Sequence, residues 1–279
     1  MLRRLAAALL VVACGVALAV SPASATSEHP SYYLALGDSL AYGFQPTHVT
    51  GQGYVDQLYA ALAPTRRNLR LVNLGCPGET TASMISGGVC PYPNRPDQLD
   101  TALDFLRHNR DRVSLITIDI GANDVGHCVS AAGLDQQCVL HGLVDVALNT
   151  ATITAKIRAA APHTRIAGMT YYDPYLAASL TGPAGQALAA ASLAISGELN
   201  RLLAGLFAGQ GFAVADVAGA FSTTDGTTLV TLPGLGQVPL NLARICQWTW
   251  MCAPPPLGPD IHANQAGYGV IAQAFEAVL

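Results

Sequence analysis

Short apolar runs alternate along the chain with longer stretches in which apolar positions recur every three or four residues. The runs fall at 32–36, 69–74, 113–120, 165–171 and 212–217, and their length suits strands. Val113-Ser114-Leu115-Ile116-Thr117-Ile118-Asp119-Ile120 is rich in β-branched residues and reads as a strand covered on both faces. The amphipathic stretches at 54–63, 98–108, 143–160, 184–208 and 265–279 read as helices. Strand and helix in alternation imply a parallel sheet with helices on both faces. Residues 218–259 break this rhythm with Thr, Gly and Pro throughout, ending in Ala253-Pro254-Pro255-Pro256. Loops of that length inside a compact domain tend to be functional or disordered. With Trp248, Trp250 and two cysteines inside it, the segment is expected to be an ordered loop beside a binding site.

Composition narrows the function classes. The chain of 279 residues is 51% hydrophobic and 11% charged, which excludes wholesale disorder and allows a sizeable core. A net charge of −4 argues against nucleic-acid binding, which needs a basic face to neutralise phosphates. Lys156 is the sole lysine, so Schiff-base chemistry has one candidate.

Residues 1–25 read as a secretory signal: Arg3 and Arg4, an apolar run over 5–20, then the small-x-small site Ala23-Ser24-Ala25. The run is short for a membrane anchor. Val11-Val12-Ala13-Cys14 loosely resembles a lipobox, but the apolar run continues past Cys14, which ranks lipoprotein attachment below secretion. The remaining residues 26–279 form one expected domain. Losing the signal removes two arginines and no acid, so the mature chain is more acidic than the whole. It keeps an even set of cysteines, Cys76, Cys90, Cys128, Cys138, Cys246 and Cys252, which in an exported chain reads as three disulfides. Their grouping favours Cys76–Cys90, Cys128–Cys138 and Cys246–Cys252. No CxxC pair or suitably spaced histidine supports a zinc site.

In a parallel sheet, ligands sit at the carboxyl ends of the strands. Gly37-Asp38-Ser39-Leu40 follows the first expected strand, Gly75-Cys76-Pro77-Gly78-Glu79-Thr80 the second, and Gly121-Ala122-Asn123-Asp124 the third. Asp260-Ile261-His262-Ala263-Asn264 precedes the last helix. Ester hydrolysis needs a nucleophile, a base of near-neutral pKa and donors aimed at a developing oxyanion. Ser39 is the candidate nucleophile and His262 the candidate base. Gly78 offers an unobstructed backbone N–H, Asn123 an amide, and Asp260 a carboxylate to orient the imidazole. Singly, each has a structural reading as a helix cap or turn residue; their convergence is what points to chemistry.

These four ordered blocks, with Asn264 and Gly267-Tyr268 after the histidine, resemble those of the GDSL, or SGNH, hydrolases over residues 32–268. The local cysteine pairs and the Ala-rich, Lys-poor composition look like the secreted actinobacterial esterases and lipases of that family. The resemblance implies an α/β, flavodoxin-like three-layer sandwich, with a parallel sheet of about five strands in the order 2-1-3-4-5. It implies Ser39 as nucleophile, His262 as base, and an oxyanion hole from the N–H groups of Ser39 and Gly78 and the Asn123 side chain, with Gly75 as the neighbouring alternative to Gly78. It implies neither metal nor organic cofactor. One position departs. The family's aspartate usually stands three residues before the histidine, where this chain has Pro259, and Asp260 stands two before. Either the Pro259 carbonyl or the Asp260 carboxylate could fill that role.

The expectation is a monomeric, secreted serine esterase or lipase acting on a small-molecule or lipid ester, with no nucleic-acid partner and no stable membrane span. Its rivals are a carbohydrate acetylesterase on the same fold and a non-catalytic lipid- or cell-wall-binding protein. A binding protein would be marked by loss of Ser39, Gly78, Asn123 or His262, and all four are present. The Trp248–Trp250 loop is expected to border the acyl or leaving-group pocket, or else to fill a satellite core. Tyr171-Tyr172-Asp173-Pro174-Tyr175 is expected to line the cleft, and His127 to sit in the loop closed by Cys128–Cys138.

Overall fold

The computed structural model describes residues 30–130 and 133–279. The expected signal sequence and Cys14 lie outside the described residues. Five strands form one parallel sheet: β1 (Ser31–Gly37), β2 (Leu69–Asn73), β3 (Val113–Asp119), β4 (Arg165–Met169) and β5 (Ala213–Ala215), in the order β2-β1-β3-β4-β5. This is the flavodoxin-like order. The central pair is the most deeply covered: Tyr33 through Leu36 in β1, and Leu115, Ile116 and Ile118 in β3, are all buried. Burial on both faces requires the continuous apolar runs seen in the sequence.

Among the described residues, ten α-helices connect and cover the strands: α1 (Ser39–Tyr42), α2 (Tyr54–Leu62), α3 (Thr81–Ser86), α4 (Gln98–Asn109), α5 (Ala122–Gly126), α6 (Gln136–Ala160), α7 (Pro183–Gly209), α8 (Val217–Ala220), α9 (Leu240–Trp248) and α10 (Gln265–Glu276). On one side α10 packs against α2, α8 and α9, and on the other α6 packs against α3, α4, α5 and α7. The sheet lies between. Among the described residues, α6 alone is long and apolar enough to cross a membrane by length and composition. Here Val146, Ile153 and Ile157 bury one of its faces in the core.

The elements depart from the sequence reading in two places. Helix α6 starts at Gln136, seven residues before the expected start. The Asp135 side chain caps it by accepting from the Cys138 N–H at 3.1 Å, and Gly142 lets it pass over the Asp124 carbonyl, where a Cβ would lie 2.1 Å from the oxygen. Neither feature produces hydrophobic periodicity. Residues 218–259 are not one long loop. They hold an antiparallel hairpin (Leu229–Leu232 with Gly236–Pro239) and α9. The six cysteines form the three expected local pairs, Cys76–Cys90, Cys128–Cys138 and Cys246–Cys252.

Candidate active site

The end of β1 is built around a glycine. Gly37 has φ of 142°, and a Cβ there would lie 2.3 Å from the Asp119 carbonyl oxygen and 2.6 Å from its carboxyl group. The chain then turns into α1, which Asp38 caps by accepting from the Leu40 N–H at 2.9 Å. Asp38 also accepts from the Tyr171 hydroxyl at 2.8 Å, and burial pushes its pKa up despite these bonds. Ser39 is therefore the first residue of a short helix at the sheet's carboxyl edge, and it is 7% exposed.

His262 arrives from the other end of the chain. Its Nε2 lies 2.8 Å from Ser39 Oγ, across 223 positions of sequence. The loop carrying it is strapped to the end of α9 by main-chain bonds: Trp250 N–H to the His262 carbonyl at 3.0 Å, Asp260 N–H to the Trp250 carbonyl at 3.2 Å, and Asn264 N–H to the Trp248 carbonyl at 2.9 Å. Asn264 then caps α10 by accepting from the Gly267 N–H. Gly267 permits the close approach, since a Cβ would lie 2.0 Å from the Trp248 carbonyl oxygen. The partner of His262 Nδ1 is the Asp260 carboxylate, with Oδ1 at 2.7 Å and the His262 main-chain N–H donating to the same oxygen at 2.9 Å. Partial burial works against ionisation of Asp260, but the side-chain and main-chain bonds from His262 outweigh it and hold the carboxyl below its usual pKa. The ring of Phe44 packs 4.4 Å from the imidazole, and nothing in its sequence context marks it.

Gly78 sits in the turn after β2 with φ of 83°. Among the described residues, no acceptor takes the N–H of Ser39 or of Gly78. By contrast the Gly75 N–H is held by Asn73 Oδ1 at 2.9 Å, and a Cβ on Gly75 would lie 2.5 Å from the Tyr42 nitrogen. Gly75 is thus a packing residue. Asn123, in α5, donates one amide hydrogen to the Glu79 carbonyl at 2.9 Å and shares a cavity wall with Gly78. Asp124 ties the same two turns together, accepting from the N–H and the hydroxyl of Thr81 at 2.9 and 2.6 Å.

That cavity, of about 500 Å³, runs from Gly78 and Asn123 past Ile261 to Val125, Leu134, Val139, Ile195 and Leu199. Tyr171, Tyr172, Asp173, Pro174 and Tyr175 line it as expected. Its polar side chains are largely engaged with the protein: Tyr172 to the Ile261 carbonyl (2.9 Å), Tyr175 to the Gly126 carbonyl (3.2 Å) and Ser192 to the Asp173 carboxyl (2.7 Å). Burial, only partly offset by the Ser192 and Tyr175 bonds, pushes Asp173 up to about 6. His127 belongs to the wall and stands one residue before the loop closed by Cys128–Cys138, not inside it as expected. The sulfurs beside it, those of Cys128 and Cys138, are bonded to each other.

Trp248 and Trp250 do not line this cavity; of the two expectations for their loop, a border on the acyl or leaving-group pocket or a satellite core, Trp248 fits the second. Trp248 packs edge-on against Phe221 (5.1 Å) and lies beneath the Arg244 guanidinium (4.4 Å). The carbonyls of both tryptophans hold the His262 loop instead. Large aromatic side chains fix α9 in the core, and the main chain at its end positions the histidine.

A family model described as GDSL-like lipase/acylhydrolase matches residues 35–270. Curated protein sequences offer no significant match. Among solved structures, the chain is similar to an extracellular lipase from Streptomyces rimosus, with 18% identity over 89% of this chain and 100% of that one and a TM-score of 0.56. It is also similar to phospholipase A1 from Streptomyces albidoflavus NA297, with 19% identity over 90% of this chain and 100% of that one and a TM-score of 0.52. At such identities the structures speak for the fold. The family match, by contrast, runs through all four sequence blocks that meet at the sheet edge, and on that ground the chain belongs to the GDSL-like lipase/acylhydrolase family.

Proposed function

We propose that the protein is a secreted serine esterase or lipase that hydrolyses carboxylic esters of apolar acyl chains through an acyl-enzyme. The observation that carries this reading is the 2.8 Å contact between Ser39 Oγ and His262 Nε2, with Asp260 2.7 Å behind Nδ1. With Nδ1–H donated to Asp260, Nε2 is left as an acceptor for the serine proton. Ser39 Oγ attacks the ester carbonyl carbon as its proton passes to Nε2, and the carbonyl π pair moves onto oxygen. The Ser39 and Gly78 N–H groups and the second Asn123 amide hydrogen stabilise that oxyanion, a donor of this kind contributing roughly 3–4 kcal/mol. Collapse expels the alkoxide, which takes the proton from the imidazolium. Water then repeats the sequence on the acyl-serine, releasing the acid and restoring the serine.

The engaged polar groups of the cavity favour an alkyl chain over a sugar, because sugar recognition needs free donors and acceptors. Secretion is supported by the leader-like residues 1–25 and by three disulfides. The test is a series of nitrophenyl esters from acetate to palmitate, with a fluorophosphonate probe alongside. The expected result is a maximum above acetate and a single adduct on Ser39, both abolished in Ser39→Ala. Preference for acetylated sugars would favour the acetylesterase, and the absence of any adduct would favour a binding protein.

A further inference from the structure

We infer that Gln98 is a positioning residue for the oxyanion hole, holding the turn that carries Ser39 and the turn that carries Gly78 in one fixed relation. This rests on the hydrolase reading above. Gln98 is the first residue of α4 and is fully buried. A buried amide at a helix start needs only local partners to be satisfied, yet this one reaches elements far away in sequence. Its Oε1 accepts from the Gly37 N–H at 2.7 Å and its Nε2 lies 2.9 Å from the Gly37 carbonyl, so one side chain brackets the main chain two residues before Ser39. That same carbonyl also accepts from the Cys76 N–H at 3.0 Å, at the start of the turn that carries Gly78.

Nε2 lies 3.0 Å from the Glu79 carboxylate as well. Glu79 is 1% exposed, and its hydrogen-bond donors are neutral: Gln98, the Ser83 hydroxyl and the Tyr92 hydroxyl. The placement of Glu79 matters because its residue joins both halves of the hole. Its nitrogen continues directly from Gly78, and its carbonyl takes one Asn123 amide hydrogen, which turns the other toward the cavity. A shift of Gln98 would therefore displace the Gly78 N–H and the Asn123 amide together, relative to the serine.

The experiment uses Gln98→Met, which keeps the length and removes both hydrogen-bonding ends, and Gln98→Glu, which keeps the acceptor for Gly37 and sets a second carboxyl against Glu79, leaving at most one O–H where Nε2 carried two N–H donors. Rates are expressed per active site titrated with a fluorophosphonate. Both variants are expected to lose kcat on a nitrophenyl ester by about ten- to a hundredfold, since misplacement of reacting groups by an ångström costs on that order. KM should stay within about twofold of the parent. Inhibition by an alkyl trifluoromethyl ketone, whose hemiketal oxyanion occupies the hole, should weaken in parallel with kcat/KM. An unchanged kcat per titrated site overturns the inference, as does a loss that leaves ketone inhibition intact. Failure of both variants to fold would make Gln98 a residue of the fold and likewise overturn it. Persistence of activity in Ser39→Ala is a separate outcome, and would remove the underlying reading instead.

Discussion

Asp260 reaches the imidazole from two positions upstream in a tight local turn, the same carboxylate oxygen also accepting the main-chain N–H of His262. Asp260→Asn is expected to lower kcat about a thousandfold or more while leaving KM near the parent value, a smaller loss than in Ser39→Ala, as judged from triads in which the acid is replaced. Its depressed pKa also has a stability consequence. The contribution of the hydrogen bonds from His262 is fully present above the ordinary carboxylate range and is lost as pH falls through the folded-state value of Asp260. An acid titration of stability should therefore be less steep below about pH 4 in Asp260→Asn. Asp173 behaves oppositely. Its pKa is raised to about 6, so the unfolded chain gives up its proton first and stability falls as pH rises from about 4 to about 6. The shift corresponds to about 3 kcal/mol, and Asp173→Asn, with its amide oxygen still accepting from the Tyr175 N–H and its NH2 donating to the Ser192 hydroxyl, should remove that slope in thermal melts. At this scale the sequence was legible where a residue's role is announced by its neighbours, as in Gly37-Asp38-Ser39. Phe44 and Gln98 carry no such mark, since what they touch lies at His262 in one case and at Gly37 and Glu79 in the other.

The five strands and five long helices were legible because burial on one or two faces writes a period into the chain. The parts that escaped are held by other forces. The hairpin and α9 within residues 218–259 have short, mixed patterns, and the start of α6 depends on a cap, a disulfide and a glycine that fits over a carbonyl. The role of α9 leads to a prediction. Trp248→Ala should cost about 2–3 kcal/mol through lost packing against Phe221 and Arg244. It should lower kcat on every acyl ester by a similar factor, leaving the chain-length profile unchanged. A selective loss on long-chain esters would return the tryptophan to the acyl pocket.

For the whole molecule, the proposed function makes the cavity lined by Gly78 and Asn123 the space that sets what fits. Ile195 stands on its α7 wall, and Ile195→Trp should shift the optimum to shorter acyl chains with little effect on acetate hydrolysis, measured across the same ester series. Engaged polar groups and alkyl side chains give the space its character, and only the folded arrangement reveals them, because the wall is drawn from α5, α6, α7 and the segment after β4. Sequence order did reveal the global plan, since three blocks at three strand ends lie on one edge of a parallel sheet, where the fourth, just before the last helix, joins them.

The bond between Ser39 and His262 joins the opening strand of the sheet to the approach of its final helix. On the proposed reading, a chain whose C-terminal segment has not yet emerged from the ribosome has a hydroxyl without its base, and is expected to be inert toward esters. In refolding, turnover then reports the docking of α10: recovered hydrolysis should not precede burial of Phe275 against Tyr54, the stacked pair that joins α10 to α2.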